Sequence, residues 1–142
     1  GKFVGSKLAV SHRWVSPASP DPSSSQMRSI KTFLAAHPSI EDVWIDWSCV
    51  PQGARSDSEQ RFFDGCLRAV NLLYLAMRVL VIADSAYMSR FWTQFECLLG
   101  LRRVEVAGLT PISEAESRAA FRVVGIESGT PGTLIGMLKR RW

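Results

Sequence analysis

The fold of this chain is decided by residues 79–96, which read VLVIADSAYMSRFWTQFE. The apolar run from Val79 to Ala83 predicts a buried strand, the polar residues after it predict a short turn, and a helix is expected to begin near Ser89. Trp92 and Glu96 are four residues apart on that helix, so their side chains lie on one face. Open α/β sheets have their ligand-binding and active sites at the carboxyl ends of the strands. The expected helix places a carboxylate and an indole at such a strand end.

Short apolar runs alternate with helix-period segments along the rest of the chain, which is typical of a parallel sheet covered by helices. The run from Met77 to Ala83 is apolar almost throughout, so we expect a central strand that is covered on both faces. The sequence predicts an α/β fold with five strands and five helices in alternation. The five expected strands are Lys7–Ser11, Val43–Asp46, Met77–Ala83, Val104–Leu109 and Phe121–Ile126.

Helix starts are indicated by a Ser followed three residues later by Glu or Gln, the pattern of a capping box. This pattern occurs at residues 23–26, 56–59 and 113–116. A further helix is expected from about Ser89 to Arg103, and a closing helix over Thr133–Trp142. The loop from Ser48 to Asp57 contains a proline and a glycine and is expected to be mobile.

The length and composition of the chain limit the classes of function that it can have. The 142 residues favour one domain over 1–142, and the absence of an initiator Met suggests excision from a longer multidomain protein. No apolar run is long enough to span a membrane. The net charge of +4 suits an anionic small ligand such as a dinucleotide, or equally a solvated surface. The basic residues form no stripe interleaved with aromatics, so we expect no nucleic-acid surface.

The cysteines indicate the compartment. Cys49, Cys66 and Cys97 are an odd number without a CxxC pair, which is typical of buried free thiols in a reducing, cytoplasmic location. With only His12 and His37 as imidazole donors, no zinc-ligand set can be assembled, so no metal is expected.

Three segments resemble the Toll/interleukin-1 receptor (TIR) domain family, and specifically its enzymatic, NAD-cleaving branch. Residues 9–14 (AVSHRW) are similar to the family's first-strand motif. Residues 43–46 (VWID), with the loop that follows, are similar to its second strand and BB loop. Residues 85–96 look like the segment that leads into Trp-Cys-x-x-Glu, except that Thr93 stands where many members have Cys, so the chain looks like a divergent member.

The resemblance implies a flavodoxin-like, open five-stranded parallel sheet with helices on both faces. It also implies that Glu96 is the catalytic residue of NAD+ cleavage, which would release nicotinamide and ADP-ribose or a cyclic ADP-ribose product. NAD+ would be the substrate, and no cofactor is expected. Relatives of this kind act in signalling or immune defence and are activated by self-association, so a homo-oligomer through TIR–TIR contacts is expected.

The nicotinamide–ribose bond suits a site with a single carboxylate. The pyridinium leaves as a neutral molecule, so no general acid has to protonate it. The oxocarbenium-like centre left behind needs a nearby negative charge and a group that orients the ribose hydroxyls. Burial beside Trp92 would raise the pKa of Glu96, so a compensating cation is expected.

The candidate substrate-binding residues leave several alternatives open. Arg13 either supplies the compensating cation or meets the pyrophosphate. Asp46 either touches a ribose or caps the loop after its strand, and Tyr87 either donates to a ribose hydroxyl or packs in the turn. His12 is interpreted as structural, because neighbours on a strand point to opposite faces and it cannot form a dyad with Ser11. The full set is Ser11, Arg13, Trp14, Asp46, Trp47, Tyr87 and Trp92.

Two other classes of function compete with the enzyme. One is a non-catalytic scaffold that works through TIR–TIR contacts, although a scaffold has no need of Glu96. The other is an enzyme similar to a nucleoside hydrolase or deoxyribosyltransferase on a related flavodoxin-like fold, in which the same carboxylate would attack a free nucleoside. Fold alone does not decide among them.

Overall fold

The computed structural model of the chain describes residues 5–125, so the expected closing helix over Thr133–Trp142 lies outside the described residues. Strands and helices alternate along most of this range. In chain order the elements are β1 (Lys7–His12), α1 (Ser25–Ala35), β2 (Asp42–Trp44), α2 (Asp46–Cys49), α3 (Asp57–Ala76), β3 (Arg78–Ala83), a 3₁₀ helix (Tyr87–Ser89), α4 (Phe91–Gly100), β4 (Arg102–Glu105), β5 (Gly108–Pro111), α5 (Glu114–Ala120) and β6 (Phe121–Gly125).

Four of the strands form a parallel sheet in the order β2-β1-β3-β6. This order begins like that of a flavodoxin-like sheet, in which the strand order reverses between the first and third strands. In the β1–β3 pair, Ser11 lies opposite Val81 and His12 opposite Ile82. The two strands therefore end side by side, and the residues that follow them meet at one edge of the sheet.

Helices cover both faces of the sheet, as the sequence predicts. Alternate strand residues point to opposite faces, which divides the core into two clusters. On one face α1 packs through Ile30 against Leu8, Val10, Leu80 and Ile82. On the other face α3 and α4 pack against Ala9, Val79, Val81 and Ala83 through Val70, Tyr74, Cys97 and Leu99.

The prediction of a parallel strand over Val104–Leu109 is wrong. This region forms the hairpin β4–β5, a separate antiparallel two-stranded sheet that turns over residues 106–107, directly before Gly108 with φ +119°. Val104 and Leu109 are exposed, whereas a parallel strand buried on both faces requires a continuous apolar run. The described residues thus carry a four-stranded parallel sheet, with β6 in the place beside β3.

Two of the three predicted capping boxes form. Ser56 caps α3 and exchanges hydrogen bonds with Glu59, and Ser113 and Glu116 do the same before α5. The box at residues 23–26 does not form, because Ser24 adopts a left-handed conformation with φ 55° and its side chain makes no capping bond. The Asp21 carboxylate instead accepts from the first backbone N–H groups of α1.

Two element boundaries differ from the prediction in ways that affect the site. β2 ends at Trp44, so Asp46 opens the short helix α2 rather than ending a strand. The helix expected from Ser89 to Arg103 is split into the 3₁₀ turn and α4, which ends at Gly100. A Cβ atom at Gly100 would lie 3.0 Å from the Phe121 ring and 3.1 Å from Val79, so glycine lets α4 approach the sheet closely.

Candidate active site

A pocket of about 240 Å³ opens at the carboxyl edge of β1 and β3, where the strand order reverses. Open α/β sheets bind ligands at this point, because the connections leave the two strands in opposite directions. The segment after β1, the start of α2 and the start of α4 wall the pocket. Its lining residues are His12, Arg13, Trp14, Pro17, Asp46, Arg90, Trp92, Thr93 and Glu96.

Glu96 lies at the inner end of this pocket and is only 6% exposed. It sits on the sheet-facing side of α4, where Thr93, Cys97 and Leu99 are also buried. Ser11, from β1, donates a hydrogen bond of 2.6 Å to Glu96 Oε2. The sequence expectation that Trp92 and Glu96 share a helix face agrees with their common place in the pocket wall.

The pKa of Glu96 is raised from 4.5 to about 7. Burial is the largest cause, because it penalises the ionised form, and the negative charge of Asp46 acts in the same direction. Hydrogen bonds from Ser11 and Tyr74 and the charge of His12 oppose the rise. A carboxyl group with this pKa exchanges its proton near neutral pH, which is the property of a general acid or base.

A chain of hydroxyl groups extends inward from Glu96. Ser11 Oγ lies 2.6 Å from Tyr87 Oη, and Tyr87 Oη lies 3.0 Å from the Thr93 carbonyl oxygen. With the Ser11–Glu96 contact this makes three short contacts, but the two hydroxyl groups supply only two protons. Because Ser11 gives its proton to Glu96, Tyr87 divides its single proton between Ser11 Oγ and the Thr93 carbonyl oxygen. Ser11 thus donates to the carboxylate form of Glu96, and this opposes the effect of burial on the Glu96 pKa.

Asp46 is the second carboxylate of the pocket, and its Oδ1 atom accepts three hydrogen bonds. The donors are the Trp47 backbone N–H at 2.7 Å, His12 Nε2 at 2.9 Å and Trp14 Nε1 at 3.1 Å. Among the described residues, Asp46 Oδ2 receives no hydrogen bond. Asp46 therefore offers one carboxylate oxygen, held in a fixed direction, to a donor on a ligand.

Arg13 pairs with Asp84 rather than with Glu96. Its Nε and Nη2 atoms donate to Asp84 Oδ2 at 2.8 and 2.5 Å, and both side chains are largely buried. The pair joins the end of β1 to the end of β3. Of the alternatives open for Arg13, the compensating cation for Glu96 is disfavoured, because His12 is the cation that acts on that carboxylate.

The tryptophans occupy different places. Trp14 and Trp92 line the pocket, and Trp92 keeps 46% of its surface exposed beside Phe91 and Phe95. Trp47 lies outside the lining and packs edge-on against Trp14, with ring centroids 4.9 Å apart. Trp47 thus supports Trp14 rather than facing the cavity.

Of the predicted site residues, five line the pocket: Arg13, Trp14, Asp46, Trp92 and Glu96. Ser11 and Tyr87 lie behind them, hydrogen-bonded to Glu96 or to each other and without access to solvent. Ser11 belongs to β1, in keeping with the predicted strand Lys7–Ser11.

Sequence reasoning missed Arg90, which lines the pocket directly before α4, and it interpreted His12 as structural. It also assigned Gln26 to a capping box, whereas Gln26 is buried and contacts His12. A signal for Arg90 was present in the sequence, since this cation directly precedes the helix that carries Trp92 and Glu96.

Comparison of the chain with protein-family models, curated proteins and solved structures finds no match. Within residues 5–125, no helix is both long enough and apolar enough to cross a membrane. Over the same range, no three His, Cys, Asp or Glu side chains are grouped so as to hold a metal ion.

Proposed function

We propose that this chain is a divergent TIR-like enzyme that cleaves NAD+ to nicotinamide and ADP-ribose or a cyclic ADP-ribose product. The observation that carries the proposal is Glu96, a buried carboxyl group with its pKa raised to about 7, at the inner end of a pocket at the strand-order reversal. Burial, a specific charged neighbour and a cleft together are typical of functional carboxylates.

The reaction needs little beyond this carboxylate. The bond between ribose C1′ and the nicotinamide nitrogen breaks, and its electron pair neutralises the departing pyridinium. The ionised Glu96 stabilises the positive charge left at C1′. Water then attacks C1′, and Glu96 accepts the proton of that water, which forms ADP-ribose. In the cyclic product, an adenine nitrogen takes the place of the water.

Other pocket residues suit the remaining groups of a dinucleotide. Asp46 Oδ2 can accept from the ribose hydroxyls, and the Trp14 and Trp92 rings offer surfaces for nicotinamide or adenine. In the described part of the chain no carboxylate pairs with Arg90, so its guanidinium is available for the pyrophosphate. Ser11 and Tyr87 act through Glu96, and Arg13 acts by holding the two strand ends together.

The size of the pocket bears on activation. A cavity of about 240 Å³ encloses one nucleoside-sized part of NAD+ and leaves the rest over the surface near Arg90 and Trp92. We propose that self-association through TIR–TIR contacts completes the binding surface, as expected of a cytoplasmic signalling or defence enzyme. Cys49, Cys66 and Cys97 are free thiols, in keeping with that compartment, although Cys97 is buried as expected and the other two are half-buried.

The same cavity size supports one rival. A nucleoside hydrolase or deoxyribosyltransferase-like enzyme would need room for a single nucleoside only, with Glu96 as the nucleophile at C1′. Arg90 argues for NAD+, because a free nucleoside has no phosphate for it to bind. A non-catalytic scaffold is less well supported, since it gives no reason for burying Glu96.

The deciding experiment measures nicotinamide release from NAD+ by the chain at high concentration or clustered on a surface, with the Glu96→Gln variant alongside. Release by the parent chain and none by the variant would support the proposal. Release by both would remove Glu96 from its role. If NAD+ is untouched but purine or pyrimidine nucleosides lose their bases, the rival enzyme is correct, and inactivity on all of them favours the scaffold.

A further inference from the structure

His12 places both of its ring nitrogens against hydrogen-bond acceptors. Its Nδ1 atom lies 2.7 Å from Gln26 Oε1, and its Nε2 atom lies 2.9 Å from Asp46 Oδ1. The side chain is almost entirely buried, so water does not take the place of either partner. A neutral imidazole has one donor nitrogen and one acceptor nitrogen, whereas an imidazolium has two donors.

The orientation of the Gln26 amide is fixed by its surroundings. Gln26 Nε2 donates to the backbone carbonyls of Arg13 at 2.9 Å and Pro20 at 3.2 Å. Turning the amide over would set its oxygen against these two carbonyl oxygens and its NH₂ group against His12. The oxygen of Gln26 therefore faces Nδ1, which has to donate.

The other ring nitrogen has to donate as well, because it faces a carboxylate. Asp46 Oδ1 is also the acceptor for Trp14 and for the Trp47 backbone, so it takes a third hydrogen bond from His12. Burial lowers the pKa of His12, but the hydrogen bond and charge of Asp46, with smaller effects of Gln26 and Glu96, raise it above 6.5 overall. The hydrogen-bond geometry and the neighbouring charges both favour the doubly protonated form of His12.

We propose that His12 is held as an imidazolium cation and is the positioning residue of this pocket. It fixes the Asp46 carboxylate toward the ribose, and its positive charge opposes the protonation of Glu96. The Arg13 guanidinium is already matched by Asp84 and Arg90 lies at the pocket mouth, so His12 is the inner cation that balances two carboxylates. The link to catalysis rests on the proposed function, but the charge state of His12 does not.

The charge state is tested first and without substrate. We expect ¹⁵N NMR of the imidazole-labelled chain to show both nitrogens of His12 protonated at pH 7. His37 is the internal reference, because only its Nδ1 atom has a partner in the described structure, the Phe33 carbonyl oxygen at 2.7 Å. A His12 spectrum with one unprotonated nitrogen at pH 7 would overturn the proposal.

The positioning role is tested with His12→Gln, which removes the charge but keeps one donor. We expect the titration midpoint of the Glu96 carboxyl carbon to rise by roughly one pH unit. If NAD+ is cleaved, the acid limb of the kcat profile should move by the same amount, with roughly a fivefold loss of kcat at pH 7, and KM should rise as Asp46 loses its orientation. His37→Gln is the matched control and should change neither midpoint nor rate.

A second variant guards against failure of His12→Gln to fold. Gln26→Leu removes the acceptor at Nδ1, so His12 should lose its second proton at a lower pH than in the parent chain, by NMR. An unchanged Glu96 midpoint in folded His12→Gln, or an unchanged His12 titration in Gln26→Leu, would contradict the proposal. These titrations need no NAD+, so they test the charge state of His12 independently of activity. A chain that is inactive on NAD+ would refute the proposed function without affecting the test of His12.

Discussion

Ser11 Oγ and Glu96 Oε2 lie 2.6 Å apart although 85 residues separate them in the chain. Ser11 is fixed in a buried parallel strand and Glu96 in a helix packed on that strand, so the contact is set by the core rather than by a loop. Hydrogen bonds to a charged group are shorter and stronger than neutral ones. The contact therefore makes the protonation of Glu96 depend on the packing of α4 against the sheet.

Glu96→Gln should abolish activity and stabilise the fold at alkaline pH. The folded pKa of about 7 lies above the ordinary 4.5, so the stability that Glu96 contributes is full below pH 4.5 and is lost as pH rises through 7. The gain on substitution at pH 8 should approach about 3 kcal/mol, because a neutral amide replaces a carboxylate whose charged form is disfavoured by burial. Urea unfolding at pH 4 and pH 8 measures this.

The control for that experiment is Glu41→Gln, which changes an exposed carboxylate. It should shift the free energy of unfolding by no more than about 0.5 kcal/mol at either pH. Equal stability of Glu96→Gln and the parent chain at pH 8 would show that burial of the ionised Glu96 does not destabilise the fold.

Ser11→Ala should raise the pKa of Glu96 further, because it removes a donor to the ionised carboxylate. The acid limb of the activity profile should move to higher pH, and the free energy of unfolding should fall by roughly 1.5–3 kcal/mol above that limb. Carboxyl ¹³C NMR and the pH dependence of nicotinamide release measure the two effects. An unmoved Glu96 titration would mean that Ser11 gives its proton to Tyr87 instead. Ser29→Ala, on the outer helix α1, is the control.

The local features of the site could be predicted from sequence because they depend on periodicity. The apolar run before Asp84 and the four-residue spacing of Trp92 and Glu96 fix a strand, a turn and a helix face without long-range information. The capping box at Ser56 is equally local. Each of these predictions needed only residues that are neighbours along the chain.

The features that could not be predicted depend on contacts between distant segments. Gln26 satisfies a local capping pattern, but the Asp21 carboxylate takes over the helix start and leaves Gln26 free to orient His12. The hairpin β4–β5 is a second example. Its short stretch with β-branched residues fits either a parallel or an antiparallel strand. Burial decides between them, and burial depends on the whole fold.

The buried ion pair between Arg13 and Asp84 should be needed for the pocket to hold its shape. Asp84→Asn keeps the Oδ1 acceptor for the Ala86 backbone but removes the charge, which leaves the buried guanidinium without its carboxylate. Loss of one partner of a buried pair costs roughly 3 kcal/mol. The double variant with Arg13→Gln should lose less than the sum of the two single variants, as urea unfolding would show. Asp64→Asn is the control, because Asp64 is half-buried on α3 and its side chain accepts from Gln60 through an oxygen that asparagine keeps. Strict additivity would contradict the pairing.

Arg90→Gln should weaken substrate binding and leave the chemical step largely intact. Arg90 is exposed and lines the pocket at the start of α4, where it can meet the pyrophosphate of NAD+. Removing a charge-assisted contact of this kind costs roughly 1.5–3 kcal/mol, so KM should rise about tenfold or more while kcat changes little. Steady-state kinetics of nicotinamide release measure KM and kcat separately. The control is Arg68→Gln, which changes an exposed arginine on α3. A fall in kcat at unchanged KM would place Arg90 at the reacting ribose instead. An equal loss of activity on a free nucleoside would show that Arg90 binds no phosphate.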